Sequence, residues 1–171
     1  MKVFKEIMSY VVIILVVVLI RIFIVTPVKV DGTSMYPTLN NNDVLIEKKY
    51  DKSFDRFDVV VINYKKDKLV KRIIGLPGET IKISITHVGN NVVSKILVNG
   101  EVLEEKYGYE PIKEAGIAAN EVKLGDDEYF VMGDNRNNSS DSRVLGVFKK
   151  KDIKGTTSVR LFPLKNFGKF E

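Results

Sequence analysis

The chain opens on a long apolar run and then changes period. Ile7 to Ile20 carry no charge, and Ile22 to Val25 continue the run past the single Arg21. Counted through Val25 the segment has nineteen residues. As a helix it would extend roughly 28 Å, close to the ~30 Å hydrocarbon thickness of a bilayer. A core helix of that length would show a polar face, and Val11 to Ile20 shows none. Arg21 lies about one turn from the end, where its stem can stay in lipid while the guanidinium reaches the interface. Val25-Thr26-Pro27-Val28-Lys29 offers no small-x-small site for removal of a leader. The pattern predicts a retained single transmembrane helix, with residues 1–26 as N-terminus and anchor. Lys2 and Lys5 precede the span and only Lys29 closely follows, which predicts a cytoplasmic N-terminus and an exported body.

From Pro27 the pattern becomes short runs rich in Val and Ile: 28–30, 44–47, 59–64, 70–74, 81–85, 96–98, 128–132, 144–148 and 158–162. They are strand-length, β-branched and separated by Gly, Asn, Asp and Pro, so residues 27–171 are expected to form a mainly β domain. Asn99-Gly100, between Leu97-Val98 and Val102-Leu103, signals a two-residue hairpin. Residues 80–127 are more polar, rich in Asn, Lys and Glu, and are read as a small inserted β lobe.

At 171 residues there is room for one ordinary catalytic domain and a lobe. Lys and Arg number 27 against 22 Asp and Glu, a net charge of +5. The basic residues are scattered, and the longest run is Lys149 to Lys151, so no nucleic-acid partner is expected. Cysteine is absent, which excludes disulfides, thiolate metal sites and a cysteine nucleophile.

Three segments carry chemistry: Asp31 to Leu39 around Ser34, Val70 to Glu79 around Lys71, and Gly133 to Arg143. Ser34 sits in a turn-forming stretch where Gly32 permits unusual dihedrals and Pro37 stiffens the exit. A serine hydroxyl needs a neutral base, and at a pKa of about 10.4 only about one lysine in 2,500 is neutral at pH 7. Burial can supply the missing shift. Period-2 alternation puts Lys71 on the face of Leu69 and Ile73, an apolar setting of the kind such a base requires. Taken singly, Ser34 also reads as a loop serine, Lys71 as a solvated strand lysine and the third segment as a surface loop. A Ser-His-Asp arrangement would have to use His87, the sole histidine, which falls in the polar insertion at an exposed strand end or turn.

Together, and in this order, the three segments resemble the conserved boxes of bacterial type I signal peptidases, the leader peptidase family of serine-lysine endopeptidases. The likeness extends to Phe57-Asp58-Val59-Val60-Val61, Gly146-Val147 and Ile153-Lys154-Gly155. It implies a signal-peptidase-like all-β catalytic domain that removes signal peptides from exported preproteins at the membrane surface, cutting after small-x-small sites. In that reading Ser34 forms the acyl-enzyme and Lys71 is general base. Ser139 hydrogen-bonds the Lys71 amine, Asp141 and Arg143 form a supporting ion pair, and Arg72 and Asp134 pair likewise. Gly32 and Met35 belong to the substrate pocket. The resemblance calls for neither metal nor cofactor, and its partners are preprotein signal peptides, the lipid bilayer and the export machinery. It places the protein in the cell membrane with the catalytic domain on the extracytoplasmic side.

Two positions depart from the family pattern. Gly32 stands where some members place a serine that contributes to the oxyanion hole, leaving more to the Ser34 amide; a Gly there resembles the Gram-positive branch. Asn137 stands where many relatives have aspartate. The competing readings are a self-cleaving serine-lysine regulator, whose DNA-binding head this chain replaces with an apolar segment, and a membrane-tethered, non-catalytic β-domain for binding or scaffolding.

Overall fold

The computed structural model describes residues 2–23, 25–50, 53–108 and 110–170, with side-chain surroundings for all of these except 2, 20–23 and 25. The apolar run forms helix α1 (Lys2–Phe23), on which every residue from 3 to 19 is exposed. Among the described residues no helix is long and apolar enough to cross a membrane. The expected span runs on to Val25, and Ile24 and the side chains of 20–23 and 25 lie outside the described residues. The fold therefore does not show the transmembrane span expected from the sequence.

The rest of the chain is mainly β. Strands β1 (Val25–Lys29), β2 (Val44–Lys48), β3 (Val59–Tyr64), β4 (Asp67–Gly75), β9 (Glu128–Met132), β10 (Phe148–Lys149), β11 (Ile153–Phe162) and β12 (Gly168–Lys169) form the principal sheet. Its order is β1-β2-β11-β3-β4-β9-β10, with β12 on β11. A second sheet, β7-β6-β5-β8, uses β5 (Thr80–Val88), β6 (Asn91–Val98), β7 (Glu101–Val102) and β8 (Val122–Lys123), all within the polar stretch. The Asn99-Gly100 turn joins β6 to β7, and both residues take positive φ, 52° and 84°, as a two-residue hairpin of this kind requires.

Alternation along β3 explains its unbroken apolar sequence. Val59 and Val61 pack in one cluster with Val28, Met35, Leu39 and Val70, whereas Val60 and Ile62 pack in another with Ile73, Tyr129, Val131 and Phe148. Both faces are covered, so neither position of the repeat is polar. The second sheet does not stand alone. Its Ile81, Ile83 and Ile96 share a core with Ile74, Phe130 and Met132 of the principal sheet.

The strand expected at 144–148 is not one element. Asp141 accepts a hydrogen bond from the Arg143 amide and caps a short helix α2 (Ser142–Leu145), leaving only Phe148 and Lys149 to pair with β9. A good N-cap outweighed the β-branched run that followed it.

One line of register matters below. Val25 pairs with Lys48, Lys48 with Thr156, Thr156 with Val60, and Val60 with Lys71. The end of α1 and Lys71 thus lie on one line across five adjacent strands.

Candidate active site

Ser34 sits in the loop between β1 and β2, half-buried. Its neighbours fix it from both sides. Met35 and Leu39 are fully buried in the cluster below, and the Leu39 amide donates to the Met35 carbonyl at 2.8 Å. From above, the Asn135 amide donates to the Ser34 carbonyl at 3.0 Å, and the Asn135 side chain donates to the Thr33 carbonyl at 3.1 Å. Gly133 makes that approach possible: a Cβ there would lie 2.4 Å from the Ser34 carbonyl oxygen and 2.3 Å from Ser139 Oγ.

Lys71 reaches the same point from β4. Its side chain is 3 % exposed, and Nζ donates to Ser34 Oγ at 2.7 Å. Burial lowers its pKa from 10.5 to about 8. The charges of Asp141 and Asp134 oppose that fall, and Arg143 assists it. About one amine in ten is then neutral near pH 7, against roughly one in 2,500 for a solvated lysine. When the amine is neutral, the same 2.7 Å contact lets the hydroxyl donate to nitrogen.

The carboxylates that would hold the lysine charged are themselves engaged. Arg143 contacts Asp141 through Nε at 2.9 Å and Nη2 at 2.8 Å. Asp141 also accepts from the Gly133 amide at 3.0 Å, so it braces the strand end beside Ser34. Arg72 grips Asp134 in the same two-pronged way, at 2.8 and 2.7 Å, and donates to the Phe57 carbonyl at 2.8 Å. Thr38 Oγ1 adds a 2.6 Å bond to Asp134, tying the serine loop to this second pair. Both pairs are buried, and both were expected from the sequence.

Two expectations do not hold. Ser139 Oγ is buried without a hydrogen-bond partner among the described residues. The expected Ser139 contact to the Lys71 amine is therefore absent; the bond the structure gives that amine is to Ser34. Met35 does not line an open pocket, because its side chain is fully buried in the core where it anchors the loop. Gly32 is exposed, with φ of 90°, and its amide is taken by Asn41 Oδ1 at 2.9 Å.

Sequence reasoning missed Asn135, Thr38 and Gly133 as parts of the site, and it assigned no role to the lobe. Tyr107 of that segment lies against the Arg72 guanidinium, 3.5 Å from the ring centroid. Glu105 pairs with Arg136, and Asn137 bonds to Glu110, Pro111 and Lys113. The uncharged Asn137 both donates and accepts there, which an aspartate could not do. His87 lies exposed near the end of β5, paired with Val92, and takes no part in the site.

A serine hydroxyl in contact with a desolvated lysine amine is chemically suited to nucleophilic hydrolysis. Residues 3–162 match the family described as "Signal peptidase, peptidase S26", and this chain belongs to that family of serine endopeptidases. It is 42 % identical over 163 residues to signal peptidase I S of Bacillus subtilis strain 168, covering 88 % of this chain and 84 % of that one. It is 40 % identical over 163 residues to signal peptidase I of Bacillus amyloliquefaciens, covering 89 % and 84 %. A crystal structure of a signal peptidase I from Enterococcus faecalis V583 aligns with 62 % of this chain and 97 % of its own, at 25 % identity and a TM-score of 0.45.

Proposed function

We propose that this protein removes N-terminal signal peptides from exported preproteins, with Ser34 as nucleophile and Lys71 as general base. The observation that carries the reading is the 2.7 Å contact between Lys71 Nζ and Ser34 Oγ, made by an amine whose pKa burial holds at about 8. Neutral Lys71 takes the hydroxyl proton as Oγ bonds to the scissile carbonyl carbon. The oxyanion that forms is met by the Ser34 amide, since Asn41 occupies the amide of Gly32. Collapse of the intermediate breaks the C–N bond, and Lys71 gives its proton to the leaving amine. The neutral amine then activates water, which displaces Oγ from the acyl carbon and restores the free hydroxyl.

Asp141, Arg143, Arg72 and Asp134 act through position and charge balance, with Ser139 packed beside Gly133. Family likeness supports cleavage after small-x-small sequences and a substrate pocket that includes Gly32. Anchoring through the apolar segment ending at Val25 supports the same chemistry. Enzyme and signal peptide then share one membrane, which raises their effective concentration. The N-terminus is cytoplasmic and residues 27–171 form the extracytoplasmic catalytic domain, with 80–127 as its lobe.

Incubating the detergent-solubilised full chain with a preprotein tests the reading. The expected result is one cut after a small-x-small sequence, with a covalent Ser34 adduct trapped at low pH. Ser34→Ala and Lys71→Ala should each lose about 10³-fold or more in turnover. A folded Lys71→Ala enzyme that cleaves at the parent rate would exclude lysine as the base.

A further inference from the structure

The proposed chemistry leaves one concentration of charge unused. β1 runs from Val25 to Lys29, away from the end of α1. On the opposite side, toward the end of α1, β11 and β3 extend past the level of Val25, because Thr156 and Val60 mark that level and their strands continue beyond it, whereas β2 ends there at Lys48. The tips carry Lys49 after β2, Lys154 in β11, and Lys65, Lys66 and Lys68 at the β3–β4 turn. That turn is about five residues, roughly 17 Å, beyond Val60.

The three turn lysines are exposed, and Tyr50, next to Lys49 after β2, is 63 % exposed. Lys65 Nζ lies 5.1 Å from the Tyr64 ring centroid. A polar cavity of about 370 Å³ is lined by Glu47, Lys49, Asn63, Lys68 and Lys154. Glu47, 1 % exposed, lies 3.7 Å from Lys68 Nζ, and its oxygens have no hydrogen-bond partner among the described residues. Asp67 at the β3–β4 turn is flanked by Lys65, Lys66 and Lys68. Strand ends so charged cannot enter hydrocarbon. If α1 enters a bilayer on that side, these tips face the headgroup layer.

We propose that this lysine rim is a membrane-contact surface that binds the phosphates of anionic lipid headgroups beside the point where α1 enters. The inference rests on the anchoring reading above. Each lysine in such a layer gains attraction that decays within about 10 Å at ordinary ionic strength, and exposed aromatic side chains such as Tyr50 suit the same depth. The contact would fix the tilt of the catalytic body on the bilayer.

The test uses the full chain in lipid nanodiscs of phosphatidylcholine alone or mixed with phosphatidylglycerol. Amine acetylation is followed at Lys65, Lys66 and Lys68, with exposed Lys82 as internal reference. The expected result is labelling about fivefold slower in the anionic discs, with Lys82 unchanged and the protection abolished by high salt. Replacing the three lysines by Gln should leave cleavage in detergent unchanged and make the Tyr50 environment the same in both lipids. A chain that enters both discs with equal labelling rates overturns the surface alone. One that stays out of both overturns the anchor and the surface together.

Discussion

The Arg143 guanidinium takes both carboxylate oxygens of Asp141, at 2.9 and 2.8 Å, and so withholds that charge from Lys71. Asp141 is the largest influence opposing the fall in the lysine pKa, and Arg143 works in the other direction. Replacing Arg143 by Gln is expected to move the acid limb of kcat/KM to higher pH by about one unit, with turnover recovering above it. Arg143→Lys should restore part of the shift. A folded Arg143→Gln enzyme with an unmoved pH profile would remove this arginine from the control of Lys71. Asp141→Asn should instead lower turnover at every pH, because the Gly133 and Arg143 contacts are loosened together.

The parent enzyme should show the corresponding limb near pH 8. A base acts only when neutral, so kcat/KM rises about tenfold per pH unit below that value and levels off above it. A profile already flat from pH 6 would mean that the base is not this amine.

Burying a lysine also costs stability, with a defined sign. The native pKa of about 8 lies below the ordinary 10.5, so between these values the unfolded chain holds a proton that the native one has released. Stability therefore rises with pH across that window, and the cost is fully present below it. Lys71→Met should be inactive yet more stable than the parent, by about 1–3 kcal/mol at pH 7. Its advantage should vanish toward pH 10.5; urea unfolding in detergent at both ends of the window checks this. A variant less stable than the parent at neutral pH would contradict the desolvation account.

Arg72 and Asp134 form the second buried pair. Asp134→Asn leaves an arginine charge buried and half-paired, and should destabilise the fold by about 3–5 kcal/mol. Arg72→Met combined with Asp134→Leu should recover much of that loss, since neither charge then remains. Thermal melts of the single and double variants decide the point, and a single variant that melts with the parent would show that solvent reaches the pair.

His87→Ala should cleave preprotein at the parent rate, because His87 lies exposed on β5 apart from Ser34. Loss of activity in a folded variant would reopen the histidine mechanism.

Much of this was legible in the sequence because its signals were local. β-branched runs gave β3 and β9 with their limits, and the turn residues gave the β6–β7 hairpin. The expectation of Ser34 beside Lys71, and of the two ion pairs, came with the family resemblance rather than from any local pattern. Other features depend on packing that no local pattern carries. The need for Gly133 is visible only once the Ser34 carbonyl and Ser139 Oγ stand against it. The resemblance placed Met35 in the pocket, yet the turn sends it into the core. The strand expected after Asp141 gave way to a capped helical turn, where a side-chain bond to the backbone outweighed β propensity.

The register line from Val25 to Lys71 makes the sheet a gauge. It crosses four strand spacings, about 19 Å along the sheet. In an enzyme anchored through α1, the distance from membrane entry to the proton acceptor is set by hydrogen-bonded ladders rather than by a flexible tether. A substrate held in the same bilayer must span that distance with its own chain. How far its scissile bond lies from its apolar segment would then be measured by the rigid sheet as well as by the residues around the cut.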